Sequence, residues 1–271
     1  MHGKYYTVEV TPNMNAGAAT GSAYSDNDVL FTWTKFDIPK GPATLVSVQA
    51  VIAGTNGAAA NTHDIGLYFA KAINGVAPAS FGTIHAATTA LITNAFRRNI
   101  IGFTELDASA TDDTDHLVAY NVWGHPRDTN AGRQGVPLVL QGDDTPFPAD
   151  STYSATPQGY QSVWVGGIAH GAFDFGTDIQ LNQTGHQAAD TTGGDVTLTI
   201  EQGSGGAGVA NNSFQKGDTL VGATGGPTME ITDMVSGTAT SLKVKNVSEQ
   251  IDNNEELVLL NPIRFIFGFE Y

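Results

Sequence analysis

Residues 263–271 at the C-terminus, Ile-Arg-Phe-Ile-Phe-Gly-Phe-Glu-Tyr, decide the fold that the sequence predicts. Its aromatic residues occupy alternate positions, which places their rings on one face of a β-strand: Phe265, Phe267, Phe269 and Tyr271. Burial of each ring stabilises a protein by about 1.5–3 kcal/mol, so this face requires a large core. We therefore predict that the strand returns to the main sheet, beside the long apolar strand at 160–175.

Short strands separated by turns make up most of the chain before residue 190. Alternating apolar residues predict strands at 5–10, 29–36, 44–52, 63–70, 100–106, 116–123 and 136–140. Residues 80–98 differ, because their apolar positions fit one face of a short helix. The chain has 32 Gly, which favours many tight turns. The sequence predicts an all-β fold, a jelly-roll-like β-sandwich.

An internal repeat lies near the C-terminus. Residues 214–221, Phe-Gln-Lys-Gly-Asp-Thr-Leu-Val, are repeated in altered form at 251–258, Ile-Asp-Asn-Asn-Glu-Glu-Leu-Val. Each copy has a leading apolar residue, a turn former, an acid and an apolar pair, and each follows an alternating strand. The pattern predicts two strand–turn units that pack face to face, with Phe214 and Ile251 in equivalent places.

The repeat sets the predicted domain organisation. We expect a main β-sandwich at 1–190, completed by the C-terminal strand 261–271. A small β-barrel-like module at 191–260 is inserted into it. The polar linker 183–194 precedes the module, so we expect the module to project from the sandwich.

The repeated unit resembles small β-modules found in virion structural proteins of tailed phages, especially marine ones. The resemblance rests on 214–221 and 251–258 and covers only the module. It implies a non-enzymatic capsid decoration or cement protein on the capsid surface, with a tail or baseplate role as the alternative. The expected partners are the major capsid protein, other virion proteins and further copies of this chain in a homo-oligomer.

Composition limits the partners further. Charged residues make up 14% of the chain, and 12 Lys+Arg against 27 Asp+Glu give a net charge of −15. Such a chain repels nucleic acid and anionic membranes, so we expect neither as a partner. The absence of Cys excludes disulfides and thiolate sites. Residues 1–10 enter a strand pattern directly and show no signal-peptide pattern.

No catalytic motif is recognisable. The sequence has no Gly-x-Ser-x-Gly elbow, no phosphate-binding loop and no His-Glu-x-x-His. We therefore predict no enzyme, no cofactor and no metal. His63-Asp64 and Asp143-Asp144 are typical of turns. The acidic run 112–115 has the oxygen density of a calcium loop but lacks the Gly and Glu of an EF-hand, and a solvated turn explains it better. A glycan-active enzyme with two convergent carboxylates stays an alternative.

Aromatic residues supply the other alternative, a carbohydrate-binding or adhesin module. The tryptophans lie in apolar or alternating strands, which favours the core for them: Trp33, Trp123 and Trp164. The loops 11–28 and 142–159 are long for simple connections. We predict that Tyr24, Phe147 and Tyr153, which lie in these loops, contact a partner.

Overall fold

The computed structural model describes residues 4–14, 23–53, 61–87, 97–108, 111–113, 117–123, 137–175, 179–180, 194–199, 214–222, 226–234, 241–251 and 256–271. These residues form strands and turns without an α-helix. The strands are β1 Tyr5–Val10, β2 Val29–Pro39, β3 Ala43–Ala53, β4 Asp64–Ala70, β5 Ile100–Leu106, β6 Thr111–Asp113, β7 Leu117–Trp123, β8 Leu138–Leu140, β9 Tyr160–His170, β10 Ile179–Gln180, β11 Val196–Thr199, β12 Thr219–Gly222, β13 Thr228–Met234, β14 Ser241–Lys245, β15 Glu256–Leu259 and β16 Ile263–Glu270.

Two antiparallel sheets form a β-sandwich in jelly-roll order. The first sheet has the order β1-β16-β3-β7-β6, with β8 also paired to β3, and the second has the order β2-β9-β4-β5. Counted in chain order, the eight longest strands of these two sheets are divided so that the first sheet holds the first, eighth, third and sixth, and the second sheet holds the second, seventh, fourth and fifth. This order is that of a jelly roll. The predicted all-β jelly-roll sandwich is confirmed.

Aromatic rings from both sheets meet in one core. The rings of Phe265, Phe267 and Phe269 are fully buried. The Phe267 ring stacks on Phe36 of the second sheet at 5.4 Å between centroids, and meets Phe69 edge-on at 5.6 Å. The alternation that the sequence displays in the last strand therefore becomes the inner face of the first sheet.

The neighbours of β16 differ from those that we predicted. β16 pairs with β1 on one side and with β3 on the other. β9, its predicted neighbour, lies in the second sheet. In a sandwich both sheets present an apolar inner face, so an apolar pattern predicts burial but does not distinguish a paired strand from one across the core.

The repeat region forms a third antiparallel sheet, with the order β10-β15-β12-β13-β14-β11 and a core of its own that includes Phe214 and Ile251. The prediction that its halves pack face to face is wrong. β12 and β15 instead pair edge to edge, and the ladder is symmetric about Val221 and Val258. β11 and β14, the strands that precede the two copies, also pair with each other. β12 and β15 are therefore related by an approximate local two-fold axis that runs normal to the sheet between Val221 and Val258.

This sheet is joined closely to the sandwich. It includes β10, so it begins before residue 191, the predicted boundary. At its other end only Leu260, Asn261 and Pro262 separate β15 from β16. The Met14 N–H donates to the Leu260 carbonyl at 2.9 Å, and the Asn261 amide donates to the Pro12 carbonyl at 2.9 Å. The division into two domains stays a prediction.

The predicted helix at 80–98 is not seen in its described parts. Residues 80–87 and 97–98 form turns, irregular backbone and a bridge, and 88–96 lie outside the described residues. Within the described part of the chain, no helix has the length and apolar character that crossing a membrane requires.

Candidate binding cleft and outer sheet face

A cleft lies along β2, the edge strand of the second sheet, at a place where β2 is bulged. β2 pairs with β9 at Phe31↔Gly167 and next at Thr34↔Val165, so β2 has one extra residue in this interval. Phe31 packs in the core between the sheets, whereas Trp33 packs on the outer side. A methyl group at Gly167 would collide with the Phe31 ring, so this glycine makes room for the bulged strand.

The sequence contained a signal for this bulge. Phe31 and Phe36 both face the inner core, although they are separated by an odd number of positions. In a regular strand such residues face opposite sides. The Gly166-Gly167 pair indicated a bend in β9, but the extra residue lies in the partner strand.

The cleft has a volume of about 330 Å³ and lies between the bulged part of β2, the segment after β1 and the loop before β9. Hydroxyl or amide groups dominate its lining: Thr11, Asn13, Thr32, Thr34, Thr152 and Ser154. Trp33, Lys35 and Tyr153 complete the wall. No carboxylate is among these residues.

The one cation in the wall is neutralised within the protein. Lys35 Nζ donates to both oxygens of Asp37 at 2.8 and 2.9 Å, and its side chain is 4% exposed. Asp37 also accepts the Ser162 hydroxyl at 2.7 Å. Ser162 is buried and hydrogen-bonded to Thr156 at 2.6 Å. This buried network ties the loop before β9 to β2.

The loop at 142–159 is folded onto the sheet. The Asp150 carboxylate accepts the backbone N–H groups of Thr152 and Tyr153 at 2.6 and 2.7 Å. The Tyr153 hydroxyl donates to the Trp33 carbonyl at 3.3 Å. Burial raises the pKa of Tyr153, and the nearby Asp150 carboxylate raises it further, so the phenol stays a neutral donor.

Two of the three predicted contact residues lie inside the protein. Tyr24 is buried, its hydroxyl lies 3.3 Å from the Met14 carbonyl, and burial raises its pKa. Phe147 is buried edge-on against Trp164, with 5.2 Å between the ring centroids. Both rings anchor their loops to the sheets, and contact of Tyr24 and Phe147 with a partner stays a prediction. Tyr153 is half-buried and reaches the cleft, and its contact with a partner stays a prediction.

The tryptophans give no exposed platform in the described side chains. Trp33 and Trp164 are buried. The Trp33 indole donates to the Ala79 carbonyl at 2.7 Å. The side chain of Trp123 lies outside the described residues.

Acidic side chains accept backbone N–H groups, Asp28 within a turn and Asp143 and Asp64 from distant segments. Asp143 accepts the Gly75 N–H at 3.0 Å, Asp64 accepts the Ala108 N–H at 2.8 Å, and Asp28 accepts the Ser25 N–H at 2.8 Å. The described residues contain no group of three or more side chains that could hold a metal ion. The side chains of the acidic run 112–115 lie outside that set.

A second surface is the outer face of the first sheet, defined by the outward residues of β1, β3, β8 and β16: Tyr5, Thr7, Glu9, Thr44, Ser47, Gln49, Val51, Val139, Arg264, Ile266, Gly268 and Glu270. Glu9, Arg264 and Glu270 among them are charged, and the side chains of Glu9 and Arg264 approach to 3.7 Å. Tyr5 is 74% and Val139 65% exposed. The Ser47 side chain lies directly over Gly268.

No family model and no curated protein matches the chain. Three solved structures align with it at low similarity. The VP2 subviral particle of infectious bursal disease virus has 10% identity and a TM-score of 0.16, with 99% of this chain and 70% of that chain covered. A structure of the Gt strain of infectious bursal disease virus has 14% identity and a TM-score of 0.17, with 99% of this chain and 77% of that chain covered. Dimeric latent PorU from Porphyromonas gingivalis has 7% identity and a TM-score of 0.12, covering 97% and 20%. TM-scores this low establish no shared fold.

Proposed function

We propose that the chain is a non-enzymatic structural protein of a virion, a decoration or cement protein on the capsid surface. The observation that carries this proposal is the outer face of the first sheet, where the large hydrophobic side chains of Tyr5 and Val139 are 74% and 65% exposed. Protein interfaces are depleted of charge at their centres and enriched in aromatic residues such as tyrosine. This face therefore suits contact with another protein.

The fold agrees with the proposal. Jelly rolls recur in viral capsid proteins and in lectins. Since one fold hosts many functions, this agreement is an analogy, and the argument rests on the surface. The third sheet is inserted between β9 and β16, and we propose that it provides a second contact on the particle.

The charge of the chain affects how copies would assemble. Like charges oppose the association of free copies, and a net charge of −15 keeps such a protein soluble. We propose that copies meet on the particle, where the major capsid protein supplies the docking surface. Copies would then form a homo-oligomer because each of them binds the capsid beside another copy.

Copy number and position on the particle test the proposal. Particles of the virus that encodes the chain would be purified, quantified by mass spectrometry and labelled with gold-conjugated antibody against the recombinant protein. We expect many copies per particle and label over the head. Label confined to the tail would favour the tail or baseplate alternative, and absence from the particle would contradict a structural role.

A further inference from the structure

We infer that the cleft beside β2 binds a neutral saccharide. This inference does not depend on a place in a virion, because it rests on the cleft alone. The volume of about 330 Å³ lies at the lower end of the range for small-molecule sites, roughly 300–1,000 Å³. It suits one or two sugar rings.

The lining matches the hydrogen-bonding chemistry of a sugar. Sugar hydroxyls both donate and accept, and the threonine, serine and asparagine side chains of the cleft can do the same. Thr152 and Ser154 are exposed on the loop wall, and Asn13 is exposed on the opposite side. The half-buried Tyr153 ring adds an apolar surface beside these polar groups.

The charge of the wall favours a neutral ligand. Lys35 is the only charged residue in the lining, and both oxygens of Asp37 already hold its ammonium group. An acidic sugar would lose hydration on entering the cleft without gaining a free cation in return. A neutral sugar loses only the hydration of its hydroxyl groups, which the polar lining can replace with hydrogen bonds.

The walls are held in place before a ligand arrives. Asp150 fixes the loop wall at Thr152, and the Tyr153 hydroxyl ties that wall to β2. On the other side Asn261 donates to Asn13 Oδ1 at 2.8 Å. A preformed site loses little conformational freedom on binding, which leaves more of the contact energy for affinity.

Saturation-transfer NMR on the full chain tests the inference. The probes are glucose, galactose, mannose and N-acetylglucosamine, with their β-linked dimers, and glucuronate and N-acetylneuraminate as acidic sugars. We expect transfer to at least one neutral sugar and weaker transfer to both acids. Thr152→Val and Ser154→Ala should each weaken the binding of that sugar by about 3- to 10-fold, the effect of one lost hydrogen bond.

Matched controls separate the cleft from the rest of the surface. Ser151→Ala removes a hydroxyl group from an exposed residue that neighbours Thr152 but does not line the cleft. Thr7→Val removes a hydroxyl group from an exposed residue on the first sheet. Both should bind like the unmodified chain, and all four variants should keep its melting temperature. Absence of transfer to every neutral sugar would overturn the inference, as would stronger transfer to the acids or equal losses in the controls.

Discussion

The substitution Phe267→Ala tests whether β16 completes the sandwich. The Phe267 ring is fully buried and contacts Phe36 of β2, Phe69 of β4 and Phe265 of its own strand, with 5.4, 5.6 and 5.9 Å between ring centroids. Truncation of a buried Phe costs about 3–5 kcal/mol. Because three rings lose a partner, we expect a loss near the upper end of that range, which is much of the roughly 5–15 kcal/mol that stabilises a domain.

Urea unfolding followed by tryptophan fluorescence measures this loss. Trp33 and Trp164 lie in the second sheet, whereas Trp123 lies in β7 of the first sheet, which also carries the substitution, so the assay uses a Trp123→Phe background. A fall in the unfolding midpoint seen by these tryptophans would therefore report that both sheets unfold together.

Phe103→Ala is the matched control, since Phe103 is 43% exposed and its ring lies 6.1 Å from that of Tyr68 on the outer side of β5. We expect it to cost about 1 kcal/mol or less. The reasoning would be refuted if the two substitutions had similar effects, or if Phe267→Ala left the midpoint unchanged.

Three further predictions concern the second sheet and the third. Asp37→Ala should lower the free energy of unfolding measured in urea by about 3–5 kcal/mol, because it leaves the buried Lys35 ammonium without a partner. The double variant Lys35→Met/Asp37→Leu should leave this free energy nearly unchanged. Equal losses in the two variants would contradict the prediction. Gly167→Ala should cost about 1–3 kcal/mol by the same assay, since the added methyl collides with Phe31, and an unchanged midpoint would show that the bulge adapts. Burial raises the pKa of Asp218, so its contribution to stability is present below the unfolded pKa and is lost as pH rises through the raised folded pKa. Relative to the unmodified chain, the melting temperature of Asp218→Asn should therefore rise as pH increases above 3.8, the ordinary pKa of the carboxyl group. A difference in melting temperature that stayed constant or fell with pH would count against this prediction.

Local patterns in the sequence predicted the strands well. The alternation of Phe265, Phe267 and Phe269 is complete within one strand, so the sequence alone predicts that they are buried, and all three are. Strand pairing is harder to predict. In a sandwich, a second apolar strand can be paired with the first in the same sheet or can lie opposite it in the other sheet, and both arrangements have the same apolar pattern. For this reason the return of β16 to the sheet beside β9 was predicted wrongly.

The same limit applies to the repeat and to the cleft. The copies at 214–221 and 251–258 predicted two equivalent units. Their apolar pattern did not show whether the units pair edge to edge or pack face to face, because both arrangements bury the same residues. Tyr24 and Phe147 are buried because aromatic rings anchor polar loops, a contact that loop composition does not reveal. The cleft arises where three distant segments meet at a bulge, and only the odd spacing of Phe31 and Phe36 indicated it.

The central claim is that the outer face of the first sheet docks on a particle, and incorporation of Val139→Lys measures this most directly. Val139 is 65% exposed on that face, and Val76, which is 67% exposed, lies outside it. Both lysine variants should fold normally, because exposed substitutions change stability by about 0.5 kcal/mol or less. In particles assembled with each variant, we expect Val139→Lys to lower the copy number at least about tenfold, since a buried ammonium without a partner is costly, and Val76→Lys to leave it unchanged. Equal incorporation of both variants and the unmodified chain would contradict the account.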